Sequence, residues 1–300
     1  MLNRAEQQTR NDAVAGLKTV LRSTHQAVSD AWLKNRLADA QLWARSPQVL
    51  ASAKQLLETK HNNSTLAQHP AQSKLRHYFA ERLQQYEAQG IFLISRDQRN
   101  IASMRDANLG QINLIAQQRP NILAKVFAGE PSLIPPVSSD VPLPNQAGEL
   151  VEQYPTLFVA VPVLDTNQKP IAVLTVRYDP LNTFSKMAQT GMIGNTGETY
   201  LFDKDGWMLS ESRFTGQLKQ LGLLPVERYT TVLFTVIKDP EVDLTLGLKA
   251  PRPKNEQALT RMANDAIFGK GKDLIQVDPQ GYRGYRGVTV LGAWLWDSKL

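Results

Sequence analysis

The side chains able to do chemistry are few and poorly grouped. The chain has four histidines and no cysteine, which excludes thiol catalysis, thiolate metal sites and disulfides. His61, His69 and His77 recur every eight residues, without the i, i+4 companion that a helical zinc pair needs. Asp203 and Asp205 stand close together, but in a turn sequence, where Asp is favoured for local hydrogen bonding. There is no GxSxG elbow, P-loop or dinucleotide fingerprint. Gly194–Gly197 precedes a strand rather than a helix and reads as a tight turn, not a phosphate cradle. Gly281–Gly287 alternates Tyr and Arg, a pattern that can stack on bases. It is a single short instance in a chain of net charge +6 whose basic residues are interrupted by acids, so no nucleic-acid partner is expected. Arg177 and Asp179 lie two apart in a strand-like run, so their side chains share a face and could serve an anionic and a cationic ligand group. The chemistry expected is binding: no catalytic residue, no metal and no cofactor.

The elements that must carry these residues follow from composition and pattern. With 300 residues, 42% hydrophobic and 21% charged, the chain is globular and forms one or two domains. No apolar run reaches the ~18 residues of a membrane span. The absence of cysteine fits an oxidising envelope compartment and many cytosolic proteins alike, so it does not choose between them. The ending Leu291–Leu300 stops in strand-like sequence without a turn, which favours excision from a longer protein. From Thr9 to Arg45 there is no proline, and Val14, Leu17, Leu21, Thr24, Val28, Ala31, Asn35, Ala38 and Leu42 recur at spacings of 3 and 4. That heptad seam predicts a long helix, either a bundle helix packed on its own chain or, the reading preferred for its length, a stalk that contributes to dimerisation. Ser46-Pro47 reads as an N-cap with proline at the first helical position, so a kink is expected before the helix runs on to Glu58. A second helix is expected from Ser64 to Gln89, closed by Gly90.

Two stretches, Phe92–Ser103 and Tyr200–Glu211, both read aromatic, Leu, apolar, a polar turn around an Asp (Asp97, Asp205), then a second strand, at a constant offset of 108. A repeated hairpin at that spacing predicts two similar modules in tandem. After the first come a helix over Leu114–Gly129, an irregular proline-rich loop over Pro131–Tyr154, and strands Leu157–Leu164 and Ile171–Tyr178. After the second come a helix over Gln257–Phe268 and a strand over Gly287–Trp296, with the final strand missing.

The segments Pro135–Pro142, Phe158–Pro162, Ile171–Pro180, Gly197–Asp203, Leu209–Phe214 and Tyr285–Trp294 resemble the double Cache family. These are tandem PAS-like extracytoplasmic sensor domains of bacterial transmembrane receptors, among them histidine kinases, nucleotide cyclases and chemoreceptors. The resemblance implies an α+β fold: a stalk helix over 1–58, a membrane-distal PAS-like module over 59–185 and a membrane-proximal one, lacking its last strand, over 186–300. It implies a periplasmic small-molecule sensor, most like those of histidine kinases and not itself an enzyme. The ligand would sit in the distal module, the signal would pass through stalk helices paired in a homodimer, and the membrane would be met only through segments outside this chain. The alternative is a structural dimerisation module without a working pocket. Family members that bind amino acids carry an Arg-x-Trp-Tyr element and a closing Asp. Here Arg119-Pro-Asn-Ile stands at the first place and Asp179 at the second, so half of that motif is absent and an ordinary α-amino acid is not expected. The pocket is therefore placed between Arg177 and Asp179 on one side and the loop of Ser139 and Asp140 on the other, with Arg105 and Arg119 from the opposite wall. Replacing Asp179 is expected to weaken ligand binding and leave unliganded stability nearly unchanged. The fallback site is the stretch Ser210–Arg213.

Overall fold

The computed structural model describes residues 4–145, 147–191 and 194–298. Helix α1 (Arg4–His25) passes into a π-helical stretch, Gln26–Leu33, and then into α2 (Lys34–Ala44). Ser46 caps α3 (Pro47–Leu57) by accepting a hydrogen bond from the Val49 N–H, as its Ser-Pro sequence predicts. The π segment corrects the expected seam. Val14, Leu17, Leu21, Thr24 and Val28 are partly or fully buried, but Ala31, Asn35, Ala38 and Leu42 are exposed. The buried positions beyond Val28 are Leu33, Ala40, Trp43 and Ala44. An i→i+5 turn adds a residue per turn, so the heptad phase cannot survive it.

The chain divides into two compact units, Met1–Asp30 with Leu181–Leu300, and Ala31–Pro180. The helix expected as a separate stalk is thus shared between them.

In Ala31–Pro180, the helix expected from Ser64 is two: α4 (Asn63–Gln68), capped by Asn62, and α5 (Pro70–Gln85). Pro70 forces the break, and the His69 side chain caps the restart by accepting from the Ala71 N–H. Strands β1 (Gly90–Ile94) and β2 (Asn100–Ser103) form the first hairpin. The helix expected over Leu114–Gly129 is broken by Arg119-Pro120 into α6 (Leu114–Gln118) and α7 (Pro120–Phe127). The expected loop Pro131–Tyr154 is also more ordered, holding β3 (Ser132–Ser138), β4 (Leu143–Pro144) and β5 (Leu150–Val151). Prolines 135 and 136 are tolerated because β3 is an edge strand and its register slips between Ile134 and Val137. With β6 (Pro155–Leu164) and β7 (Pro170–Tyr178) the sheet runs β2-β1-β7-β6-β3, antiparallel throughout.

Both faces of this sheet are covered. Phe92, Ile94, Phe158, Ala160 and Val173 join Leu114, Ile115, Leu123 and Val126 of α6 and α7 in one core. The alternate residues turn to the opposite face, where α2 packs on β6 and β7 and Tyr178 meets Trp32 edge-on at 5.3 Å.

The other unit contains α8 (Lys186–Gln189), α9 (Thr215–Gln220), α10 (Arg261–Phe268), β8 (Gln276–Arg283) and β9 (Thr289–Trp294). The expected helix from Gln257 begins only at Arg261, capped by Thr260. The repeated hairpin is real. Ile94 pairs with Asn100, and 108 residues on Phe202 pairs with Met208. Ser95 N–H donates to the Arg99 carbonyl and Asp203 N–H to that of Trp207, both at 3.0 Å. Gln98 and Gly206 both take the left-handed conformation (φ 64° and 82°) at the same turn position.

The expectation of a second five-stranded-type sheet is corrected. Among the described residues the only ladder here is β8–β9. Side chains take part of the ladder's place: Leu201 N–H donates to the Ser210 hydroxyl, Ser212 N–H to that of Thr231, and Thr231 N–H to the Glu211 carboxylate. Hydroxyls and carboxylates bonded to backbone compete with strand pairing.

Candidate functional site

A narrow cleft, open to solvent at its mouth, lies in the unit Ala31–Pro180. Its floor is the sheet, where Phe92 and Phe158 meet with ring centroids 5.8 Å apart. Register fixes what stands beside them. Arg177 pairs with Gly90 on one side and Phe158 on the other, so its side chain shares their face. The guanidinium lies over Gly90, 3.7 Å from where a Cβ would stand, and its Nη2 donates to the Gln89 carbonyl at 3.0 Å. Ser139, Asp140 and Val141, just past β3, form one wall, and Ser103, Met104 and Arg105, just past β2, form another.

Neighbouring elements hold those walls. Gln118, the last residue of α6, donates to the Ser138 carbonyl (2.7 Å) and accepts from its N–H (3.0 Å), which clamps the chain beside Ser139. Beyond β2, buried Asn113 donates to the Asn100 side chain at 2.6 Å, and Asn100 donates to the Asn108 carbonyl at 3.0 Å.

The electrostatics are cationic and underpartnered. Burial and the nearby Arg105 guanidinium push Arg177 down to about 10, against the opposing pull of Asp179, Asp140 and Tyr154. Among the described residues Arg177 forms no ion pair, and its side-chain hydrogen bond ends on a neutral carbonyl. Desolvation raises the Asp140 carboxyl above its usual range. The Ser139 and Thr156 hydroxyls, both lining the cleft, are buried without a hydrogen-bond partner in the protein. Two orphaned hydroxyls beside a desolvated guanidinium suit a small ligand carrying an anionic group.

Ser139, Asp140, Arg177 and Arg105 thus come together in one cleft. Asp179 and Arg119 are not among its walls. Asp179 is buried and accepts a hydrogen bond from Tyr154. Arg119 is the junction between α6 and α7, where its backbone carbonyl receives the Ile122 and Leu123 N–H groups. Thr156 escaped the sequence reading. Its signal was a lone hydroxyl residue at the head of an otherwise apolar strand run. Of the three evenly spaced histidines, His61 faces Asp97 at 3.2 Å, His69 caps α5, and His77 is exposed. No group of three or more His, Asp or Glu side chains converges among the described residues, and no helix among them is long and apolar enough to cross a membrane.

No family model matches the chain, and no curated protein matches it. Among solved structures it is similar to the ligand-binding domain of the Pseudomonas aeruginosa PAO1 amino acid chemoreceptor PctC in complex with GABA, at 13% identity over 95% of this chain and 98% of that one, TM-score 0.43. It is similar to the ligand-binding domain of the Campylobacter jejuni chemoreceptor Tlp3 with L-norvaline, at 15% identity over 76% and 79% of the two chains, TM-score 0.45. A third is the sensor domain of the V. cholerae histidine kinase DctB, at 18% identity over 62% of this chain and 60% of that one, TM-score 0.40. What those proteins bind is a property of theirs.

Proposed function

We propose that this chain is the extracytoplasmic small-molecule-sensing domain of a bacterial transmembrane signalling receptor, a histidine kinase, and that it binds a small organic anion in the cleft of Ala31–Pro180. The observation that carries the proposal is Arg177: half-buried, without an ion-pair partner among the described residues, and flanked by the orphaned hydroxyls of Ser139 and Thr156. A charge drawn partly out of water and left without an ion pair is what a binding site retains. The ligand's anionic group would take the Arg177 guanidinium and the two hydroxyls, while Asp140 and Arg105 close over the mouth. The sequence resemblance at Pro135–Pro142 and Ile171–Pro180 supports the same location.

The signal would be a population shift, with the ligand favouring the arrangement in which the Ser139–Val141 segment is drawn toward β7. Tyr178, the residue after Arg177, projects to the opposite face and meets Trp32 on the N-terminal helical stretch. That gives the ligand a two-residue route to the helix. The exposed row Ala31, Asn35, Ala38 and Leu42 is the face we assign to the homodimer of the intact receptor, and Leu42→Asp should abolish self-association seen by sedimentation.

Calorimetry with a panel of small mono- and dicarboxylates, amino acids and amines tests the site. Binding by a carboxylate is expected, weakened by about one to two decades in Arg177→Met, the loss of one charge-assisted hydrogen bond. A carboxylate that binds the wild type and Arg177→Met equally would overturn the location. A panel with no binder at all would favour the structural dimerisation module.

A further inference from the structure

The unit Met1–Asp30 with Leu181–Leu300 has a cleft of its own, of about 1000 Å³ counted to its open mouth. Leu17, Val20 and Leu21 of α1 form one side. Six aromatic side chains stand among the other walls: Tyr200 meets Tyr285 edge-on at 5.7 Å, Tyr282 meets Trp294 at 6.2 Å, and Phe202 and Phe214 line it too. One carboxylate, Glu198, stands in this wall. Its Oε1 accepts from the Ser212 hydroxyl (2.5 Å) and the Arg213 N–H (3.2 Å), and its Oε2 accepts from the Tyr285 hydroxyl (2.7 Å). A carboxylate has about four acceptor positions, so Oε2 retains one. Among the described residues Glu198 forms no ion pair, and Arg286 acts on it only through its nearby charge. Burial raises its carboxyl above the usual range, more than these hydrogen bonds lower it. Arg286, in the same wall, is engaged elsewhere: its guanidinium lies 3.5 Å from the Phe214 ring centre and donates to Gln217 at 2.6 Å. The indole N–H of Trp294, a buried side chain in the same lining, has no acceptor.

We propose that this cleft is a second ligand site, for a small organic monocation: an amine or quaternary ammonium whose charge meets Glu198 among the aromatic rings and whose body carries a hydrogen-bond acceptor for Trp294. Ring faces and edges around a carboxylate that no cation hydrogen-bonds attract a cation through both the quadrupoles and the charge, against the weaker opposition of Arg286, and a polar oxygen on the ligand would satisfy the indole. The Ser210–Arg213 stretch serves this site from behind, Ser212 and Arg213 holding Glu198 while Ser210 anchors Leu201.

The test is calorimetry on the whole chain with choline and phenethylammonium as probes and benzoate as the anionic counterpart. At least one cation should bind, with affinity about tenfold or more weaker in Glu198→Gln and severalfold tighter in Arg286→Met, which removes the opposing charge. Tyr200→Leu, which leaves the Glu198 hydrogen bonds in place, should also weaken it and serves if Glu198→Gln fails to fold. The proposal is overturned if neither cation binds folded protein. It is equally overturned if their binding ignores both Glu198→Gln and Tyr200→Leu, or if benzoate binds instead and is lost in Arg286→Met.

Discussion

Tyr154 donates its hydroxyl hydrogen to Asp179 at 3.0 Å, and both side chains are buried, at 1% and 5% exposure. The acid that the sequence places at the centre of recognition is thus bonded to the chain just before β6, outside the walls of the cleft. Removing one partner of a buried, charge-assisted hydrogen bond leaves the other desolvated. Tyr154→Phe should lower the unfolding free energy by about 1.5–3 kcal/mol in urea titrations, and Asp179→Ala should destabilise at least as much. That reverses the expectation of an unchanged unliganded stability. Ligand affinity should fall less in Asp179→Ala than in Arg177→Met.

Arg177→Met should separate binding from stability. A guanidinium held at about 10 in the folded protein, well below its ordinary value, is a cation that folding disfavours. The unfolded chain holds that proton more tightly, so the cost is present in full below the folded value and disappears only as pH rises between the two. At neutral pH the Met variant should unfold at an equal or higher denaturant midpoint than the wild type, with the lost bond to the Gln89 carbonyl as the offset. A clear fall in midpoint would mean that the guanidinium is a structural partner.

Glu198 predicts a pH dependence of the opposite origin. Burial raises its folded pKa above the unfolded value near 4.5, so the folded state binds the extra proton. Its contribution is therefore favourable at the acid end and is lost as pH rises from the unfolded value through the raised one. Glu198→Gln abolishes that slope. Denaturation of the two proteins across this window should show the variant gaining on the wild type with each step toward neutrality. Parallel curves would contradict the raised value.

Gly287 has φ 82°, and a Cβ there would stand 1.8 Å from the Val242 carbonyl oxygen. It closes the Gly284–Gly287 turn that carries Tyr285 and Arg286, its N–H donating to the Gly284 carbonyl at 2.8 Å. Gly287→Ala should cost at least about 2–3 kcal/mol, strain and clash together. Gly222→Ala, at φ 68° with nothing within 4 Å, should cost only about 1–2 kcal/mol. Thermal or urea unfolding followed by circular dichroism gives both numbers.

The first hairpin, strands β6 and β7 and the 108-residue echo were legible because apolar runs between turn residues depend on local sequence. The Ser46 cap was legible for the same reason. The π stretch was not: Val14 to Leu42 keeps a perfect heptad spacing on paper, and only packing around Val28 and Leu33 reveals the phase change. The site was half legible. Arg177 and Ser139–Asp140 followed from strand alternation and from the resemblance. The capture of Asp179 by Tyr154 depends on a partner 25 residues away. Glu198 was concealed inside a motif read only for its likeness to a family, because nothing in neighbouring sequence announces that Tyr285 will close over it.

The paired prolines of β3 also bear on how this protein meets its neighbours. Residues 135 and 136 present no N–H, and the ladder slips beside them. At the far side β2 is four residues long, and the returning chain occupies it: Asn100 N–H donates to the Gln111 carbonyl and Gly110 N–H to that of Asn100. A sheet with one rim short of two donors and the other brief and partly covered by its own chain is a poor template for a foreign strand. Copies of the protein that meet edge to edge are thereby hindered from zipping into fibrils.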